Sequence, residues 1–203
     1  MHEFAHAYTA YKFGDPTAYD QGRVTLNPRV HLDVFGTILI LIAGFGWARP
    51  VPVKASNFKN PRLMSIIVSA VGPVSNLILA VLSILSIYIL NETGLLHAGS
   101  RGVYAALIHF FYYMWTINML LFFFNLIPLP PLDGFRIVHE LLPLETRIKV
   151  DQNLQWGMFI FLLLVFIPPL RAATLDPYLG LSVKLTSSIF AWFGHFFTPL
   201  GFI

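Results

Sequence analysis

Three residues near the amino end could do chemistry together. MHEFAH places His2, Glu3 and His6 within five positions. On a helix, residues i and i+4 share a face, so His2 and His6 can aim both imidazoles at one metal ion. Glu3, beside the first histidine, can reach a water held by that ion. H-E-x-x-H is the pattern of helix-borne zinc hydrolases, in which the ion acidifies its water and the glutamate takes the proton. The same residues also suit a polar helix start with two histidines and no metal. A catalytic zinc takes three protein ligands and keeps a position for water, so a third ligand must come from elsewhere. Asp133, in NLIPLPPLDG at 125–134, is the candidate. The prolines before it keep the backbone out of regular helix, and Gly134 permits a sharp turn just after the carboxylate. The alternative for Asp133 is a surface loop carboxylate, with the prolines merely ending a span.

The surroundings that must position these groups are apolar. Hydrophobic residues make up 56% of the 203, charged residues 11%, and Phe alone occurs 19 times. A soluble domain carries about 25% charged residues, so the solvent for much of this chain is lipid. Ionisable groups in such a setting are costly and usually mark function. Cys is absent, which excludes disulfides and thiolate metal sites, and a net charge of +3 gives no nucleic-acid signal. No cleavable signal peptide is visible.

Residues 1–13 read as helix, ended by Gly14-Asp15-Pro16. DQGRVTLNPRVHLD at 20–33 reads as a short β-like hairpin in a re-entrant region, centred on Val24-Thr25-Leu26. The apolar stretch 34–48 is too short for a full span of about 20 residues and reads as re-entrant or tilted. Residues 63–90 and 104–124 read as spans, 156–170 as an apolar run ended by Pro168-Pro169, and 178–203 as a span or an interfacial helix. The predicted fold is an all-α polytopic membrane protein with about four to six transmembrane or re-entrant segments. If 63–90 and 104–124 both cross, Arg49, Lys54, Lys59, Arg62, Arg136, Arg147 and Lys149 share one side against Arg101 on the other. The positive-inside rule makes that shared side cytoplasmic, and Lys12, Arg23 and Arg29 join it if 34–48 dips in and returns rather than crossing.

HEFAH, GPVSN at 72–76 and NLIPLPPLDG at 125–134, in that order, resemble the site-2 protease family of intramembrane zinc metalloproteases. GRVTLNP and GWARPVPV look like its compact prokaryotic branch, and no stretch reads as an inserted PDZ or CBS domain. The resemblance covers most of residues 2–140. It implies one zinc ion per chain held by His2, His6 and Asp133, with Glu3 as catalytic base. It also implies Asn76 and Asn125 as polar residues near the site, serving substrate or the oxyanion. The expected function is a zinc-dependent endopeptidase acting in or near transmembrane segments of other membrane proteins. Its partners are then a transmembrane protein substrate and the lipid bilayer, with no nucleic acid. Its expected location is the prokaryotic cell membrane, multi-pass, with the active site toward the cytoplasm. Residues 1–203 read as one membrane-embedded domain, with a catalytic core over about 1–140 and accessory segments over about 150–203.

One departure stands out. Family members carry a long apolar stretch ahead of H-E-x-x-H, whereas here one residue precedes His2. Thirteen helical residues reach about 20 Å, short of the roughly 30 Å hydrocarbon core. The first helix therefore reads as truncated, the chain as a fragment or a late start, and this form as poorly inserted or inactive. Two other function classes remain: a metal-handling membrane protein, for which repeat symmetry is missing, and an inactive relative that binds membrane segments, against which the intact Glu3 speaks. His139 with Glu140 is a rival ligand pair. Trp47, Trp115, Trp156 and Trp192 read as interface anchors or packing residues.

Overall fold

HEFAHAYTAYK becomes a helix for local reasons. Alanine at 5, 7 and 10 favours the conformation, Glu3 lies in the first turn and Lys12 in the last, and both charges suit the helix dipole. Gly14, at φ +100°, ends it in a conformation that side chains rarely adopt. The computed structural model describes residues 1–43, 46 and 48–200. In chain order its helices are α1 (His2–Lys12), α2 (Thr17–Asp20), α3 (Val34–Ala43), α4 (Pro61–Glu92), α5 (Arg101–Asn125), α6 (Asp133–Leu141), α7 (Leu144–Gln152), α8 (Leu154–Phe166), α9 (Pro168–Ala173), α10 (Leu175–Leu179) and α11 (Leu181–Phe193). They fall into two compact units, Met1–Ser75 with Asp133–Gln152, and Asn76–Leu132 with Asn153–Ile203.

The first unit is held by small apolar clusters and many directed polar bonds. Ala7 packs with Ala18 and Val51, and Ala10 with Phe58 and Val68. The methyl side chains let α1 approach its neighbours closely. Just beyond α1, Asp15 is fully buried, and its carboxylate accepts from Thr17 N, Lys54 N (2.7 Å) and Asn57 Nδ2 (2.7 Å). That carboxyl group is held below the usual carboxylate range: burial opposes ionisation, but the bonds from Thr17, Lys54 and Asn57 outweigh it. Arg23, 3% exposed, donates from its terminal nitrogens to the carbonyls of Arg49 (2.5 Å) and Pro50 (3.0 Å). The loop after α1 is thus bolted twice to the connection that leads into α4.

The second unit is organised by aromatic packing. Ala80, Ile84, Ile87 and Tyr88 of α4 bury against Trp115 and Met119 of α5 and Phe190 and Phe193 of α11. The Tyr88 hydroxyl donates to the Phe190 carbonyl at 3.0 Å, which satisfies its polar end inside the core.

Two expectations need correction. Among the described residues only α4 and α5, with 32 and 25 residues, are long and apolar enough to cross a membrane, not four to six segments. They correspond to the expected spans 63–90 and 104–124. The other apolar stretches are cut short. The helix within 34–48 has ten residues, Pro168 follows α8 after thirteen, and α11 also has thirteen. At 1.5 Å per residue these reach about 15–20 Å. Residues 44, 45 and 47, and with them Trp47, lie outside the described residues.

The β-like hairpin at 20–33 is also absent. Among the described residues there is no strand, only an isolated bridge between Leu32 and Ala48. Polar side chains in the loop supply the partners a ladder would have supplied. Asn27 N donates to Thr25 Oγ1, Arg29 N to Asn27 Oδ1, and His31 Nε2 pairs with the Thr25 carbonyl at 2.9 Å. Asn27 then caps a single 3₁₀ turn over Pro28–Val30.

Candidate metal centre

The helical spacing of α1 puts His2 and His6 one turn apart on the same face, and α6 begins with Asp133. The structure brings these three together within the first unit. Nε2 of His2 and Nε2 of His6 are 3.0 Å apart. Asp133 Oδ2 is 3.0 Å from the first and 3.2 Å from the second. Around a tetrahedral zinc with bonds of about 2.05 Å, neighbouring ligand atoms lie roughly 3.3 Å apart, so the donor set is already spaced for such an ion. His6 and Asp133 are 7% and 9% exposed, and Asp133 Oδ2 and His2 Nδ1 are buried without a well-aligned hydrogen bond. A buried carboxylate oxygen crowded by two imidazoles, yet poorly bonded to either, is what a shared cation would satisfy.

The imidazole of His6 is oriented from behind. Its Nδ1 is 2.6 Å from the Val68 carbonyl of α4, so Nδ1 carries the proton and Nε2 presents its lone pair to the donor cluster. Glu3 lies next to His2 in the first turn of α1, and its charge acts on both His6 and Arg23. The guanidinium of Arg23 is pushed down by burial and by the charge of Arg49, and Glu3 opposes that shift. Two participants were missed by sequence reasoning. The Val68 carbonyl is a backbone atom and leaves no signal. Arg23 sits in GRVTLNP and was counted only as a topology charge.

A match to the model of peptidase family M50 covers residues 1–168. The chain belongs to that family. Membership of M50, the site-2 protease family, makes it a zinc-dependent metalloprotease whose His2, His6 and Asp133 form a metal-binding cluster. It is 52% identical over 196 residues to a candidate zinc metalloprotease of Bacillus subtilis (strain 168), YwhC, covering 94% of this chain and 87% of that one. It is 31% identical over 176 residues to Rip2, a candidate zinc metalloprotease of Mycolicibacterium smegmatis, covering 84% of this chain. The Rip2 of Mycobacterium tuberculosis (strain H37Rv) is also 31% identical, over 173 residues. The aligned part spans 64% and 63% of the two Rip2 chains, less than two thirds of either. No solved structure matches the chain.

The remaining predicted residues have other surroundings. Asn76 and Asn125 belong to the second unit. Asn76 is 2% exposed and its Nδ2 has no partner, whereas Asn125 Nδ2 donates back to the Leu121 carbonyl of its own helix. The rival pair is accounted for locally: His139 Nε2 lies 2.9 Å from Asp151, and Glu140 pairs with Arg147 at 2.9 Å.

Proposed function

We propose that this M50 member is an intramembrane endopeptidase that hydrolyses peptide bonds in or near the membrane-spanning segments of other proteins. One observation carries the reading: His2 and His6 from α1 and Asp133 from α6, far apart in sequence, converge their donor atoms in a buried cluster. His2, His6 and Asp133 would hold one zinc ion per chain. When bound, zinc lowers the pKa of a water and polarises the scissile carbonyl. Glu3 accepts the proton of the attacking water on its carboxylate and returns it to the leaving amide nitrogen. Val68 holds the His6 ring in the tautomer that keeps Nε2 free. Asn76, whose buried amide nitrogen lacks a partner, supplies a donor for substrate, and Asn125 a second polar group. The length and apolar character of α4 and α5 support a multi-pass membrane protein, and the charge asymmetry supports an active site facing the cytoplasm.

The test is a paired count of zinc and of cleavage, on purified protein in detergent with a labelled transmembrane peptide as probe. Because the three donors converge, the parent is expected to hold about one zinc and to cleave, contrary to the reading of this form as inactive from its short first helix. Asp133→Ala is expected to lose both, and Glu3→Gln to keep the metal but lose cleavage by about 10²–10⁴-fold. Cleavage by Glu3→Gln at the parental rate, or a parent without zinc, would overturn the assignment. Since the chain lacks Cys, Lys59→Cys and His97→Cys give clean topology reporters. Labelling of Lys59→Cys from the outside would overturn the cytoplasmic orientation.

A further inference from the structure

Helix α4 touches the metal cluster at one point where it has no side chain. A Cβ built on Gly72 would overlap His6 Nε2 and His6 Cε1, and would lie 2.7 Å from His2 Cε1. Nε2 is the edge of the His6 ring that faces His2 and Asp133. One helical turn earlier on the same face, the Val68 carbonyl takes the Nδ1 proton of that ring. Both nitrogens of a single imidazole are therefore set by one strip of α4, Val68 by a bond and Gly72 by vacancy.

A positive φ does not explain the glycine. Gly72 lies inside α4 and is not among the positive-φ glycines, Gly14, Gly22 and Gly94. Within a helix, glycine is less favourable than alanine, so its presence here runs against propensity. It also precedes Pro73, whose ring crowds a Cβ on the helical residue before it, but what lies opposite is more specific: the two ligand imidazoles.

We propose that Gly72 is a positioning residue for the metal centre: its missing side chain keeps His2 and His6 in the one arrangement that leaves their Nε2 atoms free to ligate. This rests on the reading of His2, His6 and Asp133 as metal ligands. With a methyl group at 72, His6 must rotate away, which breaks the Val68 bond and moves Nε2 out of the donor set. A glycine needed only for close helix packing would behave differently, since alanine would then weaken the metal-free and metal-loaded forms alike.

Two measurements separate these cases. The first is titration of metal-stripped, detergent-purified full chain with Co²⁺, followed by the visible absorption of tetrahedral cobalt. Gly72→Ala is expected to weaken binding by about 100-fold, the upper range for removing support behind a ligand. Gly157→Ala, whose added Cβ would press on Pro130 in the other unit, is the packing control and is expected to bind like the parent. The second is a double-mutant cycle on thermal unfolding of the metal-free protein, combining Gly72→Ala with His6→Ala. Most of the loss caused by Gly72→Ala is expected to disappear in the His6→Ala background, where only the approach to His2 Cε1 remains, and folding is expected to recover if the single variant does not fold.

Parental cobalt affinity in Gly72→Ala overturns the proposal while leaving the metal centre intact. An equal loss from Gly72→Ala in both His6 backgrounds also overturns it, because the obstacle is then not His6. A parent that takes up no cobalt overturns the metal reading and this proposal with it. In that case the cycle still decides whether Gly72 and His6 are in steric conflict.

Discussion

The two units of this chain solve different problems with different forces. In the first, few large side chains are buried, and the clusters centre on Ala7, Ala10, Ala18, Val51, Phe58 and Val68. Its elements are fixed by directed bonds to backbone: Asp15 to Lys54, Arg23 to Arg49 and Pro50, His6 to Val68. In the second, the core is large and aromatic, with Tyr88, Trp115, Phe190 and Phe193 meeting ring on ring. Three donor atoms must be held to within a fraction of an ångström, and non-directional packing does not discriminate at that scale. Hydrogen bonds do, which is why the unit that carries the cluster also carries the buried Asp15 and Arg23. The aromatic unit supplies bulk cohesion with less demand on direction.

The largest effect that bears on this contrast belongs to the aromatic unit. Trp115 is 6% exposed and stacks edge-on to Phe190 with centroids 5.0 Å apart. Trp115→Ala should cost about 3–5 kcal/mol of stability, yet the protein that remains folded should bind metal with parental affinity. A thermal melt beside a cobalt titration checks both halves. A large loss of metal affinity at temperatures where the variant is folded would erase the division of labour.

Asp15 gives the next effect. Asp15→Asn turns an amide donor toward groups that already donate, and should cost about 1–3 kcal/mol. Its pH dependence has a definite sign. The folded pKa lies below the unfolded value, so the carboxylate stabilises the protein above the unfolded pKa. That contribution disappears as the pH falls from about 4 through the lower folded pKa. The gap in melting temperature between parent and Asp15→Asn should therefore be full at neutral pH and shrink in acid. A gap that widens in acid would show that Asp15 is not held as a carboxylate.

How much of this was legible depended on how local each cause is. HEFAH is legible because ligand spacing and helix period are one fact, and α4 and α5 because each is an unbroken apolar run. Asp133 is legible through its prolines and Gly134, which mark a break where a helix then restarts. The strand expectation failed at Val24-Thr25-Leu26 because a short run of β-favouring residues says nothing about competing acceptors, and Thr25 and Asn27 bond within their own loop. The number of spans failed because short apolar runs, such as 156–170 ended by Pro168-Pro169, were counted as segments although the helix there has only thirteen residues. Arg23 was misread since charge counting assumes an exposed head group, while this one is buried against two carbonyls. The roles of Val68 and Gly72 depend on a long-range approach of α4 to α1, of which the sequence shows only that Gly72 is small.

The smallest effect sharpens the contrast most, because it acts at the far end of a ligand-bearing helix. Asp133 opens α6, and the helix closes at Leu141. There Arg62, from the first turn of α4, donates to the carbonyls of Glu140, Leu141 (2.9 Å) and Leu142 (3.1 Å). A cation on those carbonyls satisfies groups that no intrahelical partner reaches and suits the negative end of the dipole. Arg62 is exposed, so Arg62→Ala should cost only about 1 kcal/mol of stability. Its effect on metal should be larger in proportion, about tenfold in affinity, because a loosened α6 carries Asp133 with it. Lysine offers the charge without the fork that spans three carbonyls, so Arg62→Lys should recover the stability but only part of the affinity. If both variants lose stability and affinity in step, Arg62 is ordinary glue. If affinity falls while the melt barely moves, directed bonds in this unit act on the position of the ligand rather than on the cohesion of the fold.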